Sequence, residues 1–363
     1  MLHVVAHTGS GVAAAIGDHM ASADGYEHHL LVSRDATCQI GDHLERMATS
    51  VIESSPGSVA QVRSLRAAAD ALQPDIVHAH SSHAGAYVRL ALGKAWQPRI
   101  VYTPHCYAFE RTDISRPLRR VFWLIEAALS FRGFQVAACS PLEASLARSL
   151  PGRQRVTYVP NIASPPPVAA EPVPPDVTVV AAAGRVTAQK APWLFAAAAR
   201  SCGSASPSGS GRVRWVWIGG GEADQEALLR AAGVEVTGWL PREAALRRLA
   251  ASQLYVHTAS WEGAPMTLLE AAAAGVPVIA RRTAAMEALG VAPLFASVPE
   301  LVDLVGEFPD GEAAAVAHRC GETLRRNHSG RAQAEALEAV YAGVRARPGR
   351  GALRPGSGGA PAF

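Results

Sequence analysis

Cysteine is scarce: 5 in 363 residues, at positions 38, 106, 139, 202 and 320, with no paired spacing. That excludes a disulfide framework and a cysteine zinc site, and predicts a reduced, cytoplasmic chain. An excess of one charge is missing too. A net charge of +3 is too small for a nucleic-acid-binding surface. No apolar run reaches the ~18 residues that suggest a membrane span. The opening "MLHVVAHTG" shows neither the basic leader nor the apolar stretch of a signal peptide.

Apolar residues, at 49%, are plentiful, so a sizeable core is expected. The length suits two domains. Short apolar runs alternate with helical stretches. "LHVVAH" (2–7), "HHLLVS" (28–33), "DIVHAH" (75–80), "RIVYTPH" (99–105), "QVAACS" (135–140) and "VTYVPN" (156–161) read as strands. In the second half "VTVVAAAG" (177–184), "RWVWIGG" (214–220), "VEVTGW" (234–239), "LYVHTAS" (254–260) and "VPVIAR" (276–281) repeat the pattern. Such alternation predicts parallel sheets covered by helices on both faces. The fold class is α/β, with domains at 1–163 and 177–344 joined by a proline-rich connector at 164–176. The last helix of the second domain is allowed to pack back on the first. Residues 345–363, with four arginines and no acid, read as a disordered tail.

Open parallel sheets bind ligands beyond the carboxyl ends of their strands. After "VTVVAAAG" comes "RVTAQKAPW", with Arg185 and Lys190 in the loop and Pro192 in the first turn of a helix. Two cations beside a helix N-terminus suit a phosphate group; simple exposure to solvent is the alternative. After "LYVHTAS" comes "WEGAPMTLLEAAAAG", with Glu262 at the loop lip and Glu270 about a turn inside a helix entered at Pro265. A carboxylate accepts two hydrogen bonds in fixed geometry, which suits the vicinal hydroxyls of ribose or a hexose. Two ordinary surface acids would have the same spacing.

"GRVTAQKAPWLF" and "EGAPMTLLEAAAAGVPVIA" resemble the two signatures of family-4 retaining glycosyltransferases. "DIVHAHSSHAGAYVRLA", "VYTPHCYAF" and "RVTYVPNI" resemble the matching segments of the acceptor domain, in the same order, over roughly residues 1–290. The resemblance implies the GT-B fold, two Rossmann-like domains facing across a cleft. It assigns Glu270 to the ribose hydroxyls and Glu262 to the sugar ring. Arg185 and Lys190 neutralise the diphosphate, and Gly263, Ala264, Pro265, Met266 and Thr267 line the pocket. The "TGWLP" loop, with Gly238, borders the base. His105 faces the transferred sugar and acceptor, a half-buried structural role being its alternative. Gly9 and Gly11, after the first strand, loosely match the loop whose backbone approaches the donor phosphates.

The implied reaction moves a hexose from a UDP- or GDP-sugar to a hydroxyl of a glycan, glycolipid or small molecule, with no cofactor. No Asp-x-Asp occurs, so a metal-held diphosphate is not expected. The glycine-rich loop usual after the "VPVIAR" strand is replaced by "RTAAMEALGVA", which alters the inner wall of the pocket.

Two other readings compete. Gly9, Gly11 and Asp35 fit a dinucleotide fingerprint and an NAD-dependent enzyme, which leaves the second half unexplained. A non-catalytic nucleotide-sugar binder leaves both cations and both glutamates without a purpose. Among His78, His80 and His83 a metal is not expected. His78 and His80 are read as facing opposite sides of their strand, in sheet-end packing or at the acceptor edge. The stretch 119–134, aromatic, apolar and basic, reads as a core helix. A face touching anionic lipid is kept open by arginines 111, 116, 119 and 120.

Overall fold

The computed structural model describes residues 1–5, 10–33, 42–55, 57–162, 170–174, 176–203, 212–308 and 310–345. Gly9, Asp35, Cys38, most of the connector and the tail beyond 345 lie outside the described residues.

The first sheet contains β1 (Leu2–Val5), β2 (His29–Ser33), β3 (Ser50–Ser54), β4 (Val77–His80), β5 (Ile100–Thr103), β6 (Gln135–Ala138) and β7 (Arg155–Tyr158). Its order is β3-β2-β1-β4-β5-β6-β7, and every pairing is parallel. The second contains β8 (Val177–Ala183), β9 (Arg212–Ile218), β10 (Glu235–Val236), β11 (Leu254–His257), β12 (Val278–Arg281) and β13 (Leu294–Phe295). Its order is β10-β9-β8-β11-β12-β13, again parallel. The central strands β1, β4, β5 and β11 are buried on both faces, their His, Tyr and Thr residues included.

In each sheet the strand order reverses once, between β1 and β4 and between β8 and β11. Such a switch point opens a crevice at the carboxyl ends of the two strands. The Arg185–Lys190 loop follows β8 and the Glu262 loop follows β11, so the topology alone places them side by side.

The helices of the first unit are α1 (Ser10–Ala21), α2 (Asp42–Met47), α3 (Ser58–Leu72), α4 (Ser82–Ala91), α5 (Arg116–Ser130) and α6 (Pro141–Ser149). Those after the connector are α7 (Pro192–Cys202), α8 (Ala223–Ala231), α9 (Arg242–Ala250), α10 (Met266–Ala273), α11 (Ala284–Ala288), α12 (Val298–Gly306), α13 (Glu312–Asn327) and α14 (Gly330–Arg345). The segment "RTAAMEALGVA" forms α11, with Thr283 Oγ accepting the Met286 N–H as its cap. The last described helix, α14, packs on the first sheet. Its Leu337, Val340 and Tyr341 are buried with Ile76, Val101, Ala137 and Val159. The Tyr341 hydroxyl meets His78 Nδ1 at 3.0 Å.

A buried ion pair ties α4 to α5. Arg89 donates to both carboxylate oxygens of Glu126, at 2.8 and 3.0 Å. The Tyr102 hydroxyl donates to the same carboxylate at 3.0 Å, and the guanidinium stacks 4.3 Å over the Tyr102 ring. Breaking one side of a buried pair costs about 3–5 kcal/mol, because the other charge is left without a partner. Arg89→Met should therefore lower stability in urea unfolding by that amount. Arg89→Met with Glu126→Leu should recover most of it. A single variant as stable as the wild type would show that the pair carries no such weight.

Candidate active site

Two adjoining cavities lie along the switch-point crevice. The first, of about 270 Å³, is walled by Gly11 and His105 of the first unit and by Arg185, Lys190, Glu262 and the 263–267 segment of the second. The next, of about 430 Å³, is walled by Asp18, Trp239, Leu240 and Arg242 among others. Arg242, Thr267 and Glu270 belong to both. Gly238 lines neither, but its neighbours Trp239 and Leu240 line the larger one.

The loops are fixed by their own hydrogen bonds. Gln189 accepts the Ser260 N–H at 2.8 Å through its carbonyl, and its side-chain amide donates to the Trp261 carbonyl at 3.0 Å. This clamps the phosphate-type loop to the glutamate loop. Lys190 Nζ then meets Glu262 Oε1 at 2.5 Å. Among the described residues Arg185 has no ion-pair partner, and it is exposed at the cleft. Gly184 has φ +124°, and a Cβ there would press on Lys190 Cε at 3.2 Å.

Glu270 is buried in α10, and burial pushes its carboxyl above the usual range, with Arg242 opposing. Arg242 Nη2 lies 2.7 Å from Glu270 Oε1. The contact is an ion pair with an exposed cation, so this buried carboxylate at the border of two cavities can still accept from a further donor. Asp18, reaching over from α1, is pushed up to about 7, mainly by burial and further by Glu270, with Arg242 acting against the shift.

His105 and Cys106 follow β5 with φ +50° and +79°. Non-glycine residues rarely adopt this left-handed region. Two groups hold them there. Glu143, buried in the first turn of α6, accepts the N–H of Cys106 at 2.7 Å and of Cys139 at 2.9 Å. His105 Nε2 meets His80 Nδ1 at 3.3 Å. The opposite wall approaches without a side chain: a Cβ on Gly263 would lie 3.0 Å from the Cys106 nitrogen and 3.1 Å from Cys139 Sγ. Beside it, Asn161 Nδ2 donates to the Ala264 carbonyl at 3.0 Å. At Gly11 no such contact demands glycine, since the nearest atom to a Cβ would be Met266 Cγ at 3.9 Å.

The histidines require a correction. His78 and His80 do not face opposite sides of β4: residues two apart in a strand share a face, and their rings lie 4.1 Å apart. With His3 they bring ligand atoms within 4.8 Å of one another. Every ring nitrogen of the three nonetheless has a protein partner. His78 bonds Tyr341 and Thr103, His3 bonds His80 and His28, and His80 bonds His3 and His105.

The resulting chain has a direction. His28 Nε2 meets the Ala23 carbonyl, which can only accept, so that nitrogen carries the proton. Burial holds His28, His3, His80 and His105 below the usual histidine pKa, His105 at about 4, so each is neutral near pH 7. His28 Nδ1 must therefore accept from His3 Nε2, His3 Nδ1 from His80 Nε2, and His80 Nδ1 from His105 Nε2. His105, which lines the cleft, is left with an unprotonated Nδ1, a hydrogen-bond acceptor.

Comparison with known proteins agrees with this geometry. Residues 10–162 match the family described as "Glycosyl transferase 4-like domain", and residues 177–307 match "Glycosyl transferases group 1". This chain is a GT-B glycosyltransferase of the family-4 type. Among solved structures it is similar to Anabaena Alr3699/HepE in complex with UDP-glucose. The TM-score is 0.73 at 17% identity, covering 94% of this chain and 98% of that one. Sucrose-phosphate synthase from Thermosynechococcus elongatus gives 0.73 at 16% identity, covering 95% and 100%. The lipopolysaccharide outer core galactosyltransferase WaaB gives 0.63 at 17%, covering 93% and 98%. At such identities these structures speak for the fold. Curated protein sequences give no match.

In this glycosyltransferase the cleft gathers Gly11, His105, Arg185, Lys190, Glu262, Glu270 and residues 263–267; Gly9 lies outside the described residues. Sequence reasoning missed Arg242, Asp18, Asn161 and Glu143. A signal existed for one of them. Arg242 opens α9, where the helix dipole disfavours a cation, and it directly follows the loop assigned to the base.

His19 is fully buried beside the histidine chain, and neither ring nitrogen has a hydrogen bond. Burial, then His105, lowers its pKa to about 3. Its folded pKa lies below the unfolded value near 6.5, so the unfolded chain binds the extra proton. Its contribution is intact above pH 6.5 and is lost as pH falls, at about 1.4 kcal/mol per unit. His19→Leu should flatten the fall of stability with acidification by one proton between pH 6.5 and the acid limit of folding. Parallel stability–pH curves for the two proteins would refute this.

Proposed function

We propose that this glycosyltransferase moves a hexose from a UDP- or GDP-sugar to an acceptor hydroxyl, with retention at the anomeric carbon and without a metal ion. The acceptor is a glycan, a glycolipid or a small molecule of surface-polymer or natural-product assembly. The observation that carries the donor site is the Glu270 carboxylate, buried at the border of two cavities with the exposed Arg242 beside it. A carboxylate accepts two hydrogen bonds in fixed geometry, and a ribose diol supplies the donors. The nucleobase then falls in the larger cavity against Trp239 and Leu240, and the diphosphate and sugar in the smaller. The UDP-glucose bound to Alr3699/HepE supports a uridine donor.

Arg185, Lys190 and the first-turn amides of α10 face the diphosphate. Charge grows on it as the glycosidic bond breaks, and fixed cations and dipoles in a low-dielectric cleft stabilise that growth more than the ground state. His105 Nδ1 accepts from a hydroxyl of the sugar or acceptor and orients it. The acceptor attacks from the face the diphosphate leaves, and a phosphate oxygen takes its proton. Closing of the cleft keeps water from competing.

Glu270→Ala should weaken binding of free UDP or GDP by about ten- to a hundredfold, the worth of a hydrogen bond to a charged group. Glu262→Ala should leave that binding unchanged or tighten it, because Lys190 is released, while transfer falls. Calorimetry with the free diphosphate beside a transfer assay separates the two; equal small effects of both substitutions on binding and turnover would sink the donor-site assignment. Turnover should also persist in EDTA. Its loss with full rescue by Mn²⁺ would contradict the roles given to Arg185 and Lys190.

A further inference from the structure

The first half of α5 stands clear of the domain. Arg116, Pro117, Leu118, Arg120, Val121, Trp123, Leu124 and Ile125 are all exposed; in this half only Phe122, packed against the core, and Arg119, which donates to the Phe109 carbonyl at 2.8 Å, face inward, and from Glu126 onward the helix buries a continuous face. Leu124 is 59% exposed and Phe131, just past the helix, 65%. Six large apolar side chains in one 14-residue stretch, Leu118, Val121, Trp123, Leu124, Ile125 and Phe131, are therefore uncovered. Such a patch on a folded domain marks a contact surface.

The charge around the patch has one sign. Between residues 114 and 134 the sole acid is Glu126, buried and paired with Arg89. Arg116 and Arg120 have no hydrogen bond or ion pair among the described residues. With Arg119, Phe109 and Trp123 they line a hollow of about 330 Å³ on this face. A helix with apolar side chains beside unpaired arginines fits the boundary between acyl chains and anionic headgroups.

We propose that α5 docks this protein on an anionic lipid bilayer. The six apolar side chains enter the acyl boundary, and Arg116, Arg119 and Arg120 hold lipid phosphates. A second copy of the chain is the wrong occupant, because a two-fold contact would set arginines against arginines. Among the described residues no helix is long and apolar enough to cross the membrane, so the contact is peripheral. Its position has a consequence for the cleft. Phe109 and Arg119 also line a hollow of about 470 Å³ that reaches Trp261 and Glu262. A docked bilayer thus lies beside the cleft on the side away from the larger donor cavity.

The test is sedimentation of the full chain with vesicles of phosphatidylcholine alone or of phosphatidylcholine with phosphatidylglycerol. Binding should appear with the anionic vesicles and fall with added salt. Trp123→Glu with Leu124→Glu, and separately Arg116→Glu with Arg120→Glu, should each weaken it by about tenfold or more. All four residues are exposed, so both variants should keep the wild-type circular dichroism and melting temperature. Three results would overturn the proposal. One is no binding, or equal binding to both vesicle types. The second is unchanged binding by folded variants, which would place the contact in the arginine-rich C-terminal segment. The third is a dimer in light scattering that Leu124→Glu splits, which would make a second copy the occupant.

Discussion

The catalytic face of the first domain hangs on one buried carboxylate. Glu143 accepts the backbone N–H groups of Cys106 and Cys139, and so joins the loop after β5 to the loop after β6. Backbone in the left-handed region costs energy for non-glycine residues. The His105–Cys106 pair is held there by the 2.7 Å hydrogen bond from the Cys106 amide to Glu143. Burial pushes Glu143 up to about 7, and the two amides resist that shift. The turn it holds is the surface that Gly263 approaches. A side chain at Gly263, or a relaxed His105 turn, would separate the two walls, and the smaller cavity would lose its first-domain side.

Much of this arrangement was legible in the sequence, and the exceptions have physical causes. Buried parallel strands carry long apolar runs, so the central strands announce themselves. The edge strand β3 is only half-buried and β13 is two residues long, and neither is among the runs read as strands; β10, also two residues, lies inside the run 234–239. Glu262, Arg185 and Lys190 could be found because each lies in the connection that follows a strand end, and Glu270 because it sits in the helix entered directly after one of them. Their pairing could not. That Lys190 meets Glu262 across 72 residues, and that Arg242 rather than Arg185 meets Glu270, depends on how two sheets and α9 are set. The histidines show a different limit. Placing His78 and His80 on opposite faces misread the strand period. Once they share a face, the ring-to-ring chain still requires β1, the loop before β2, and the His105 turn to converge.

The charges of the cleft largely balance one another. Lys190 is neutralised by Glu262, and Glu270 by Arg242, so of the charges predicted to meet a ligand only Arg185 is left without a partner. A diphosphate entering the site competes with Glu262 for Lys190 and gains less from that cation than from a free one. The discount is smallest when the second partner of the exchange, the Glu262 carboxylate, is itself re-bonded by the hydroxyls of a sugar. A nucleotide sugar supplies both halves of that exchange, while a bare diphosphate supplies one. On the proposed donor site, the same pairing that keeps two carboxylates tolerable in a half-buried cleft would favour the intact donor over its nucleotide product.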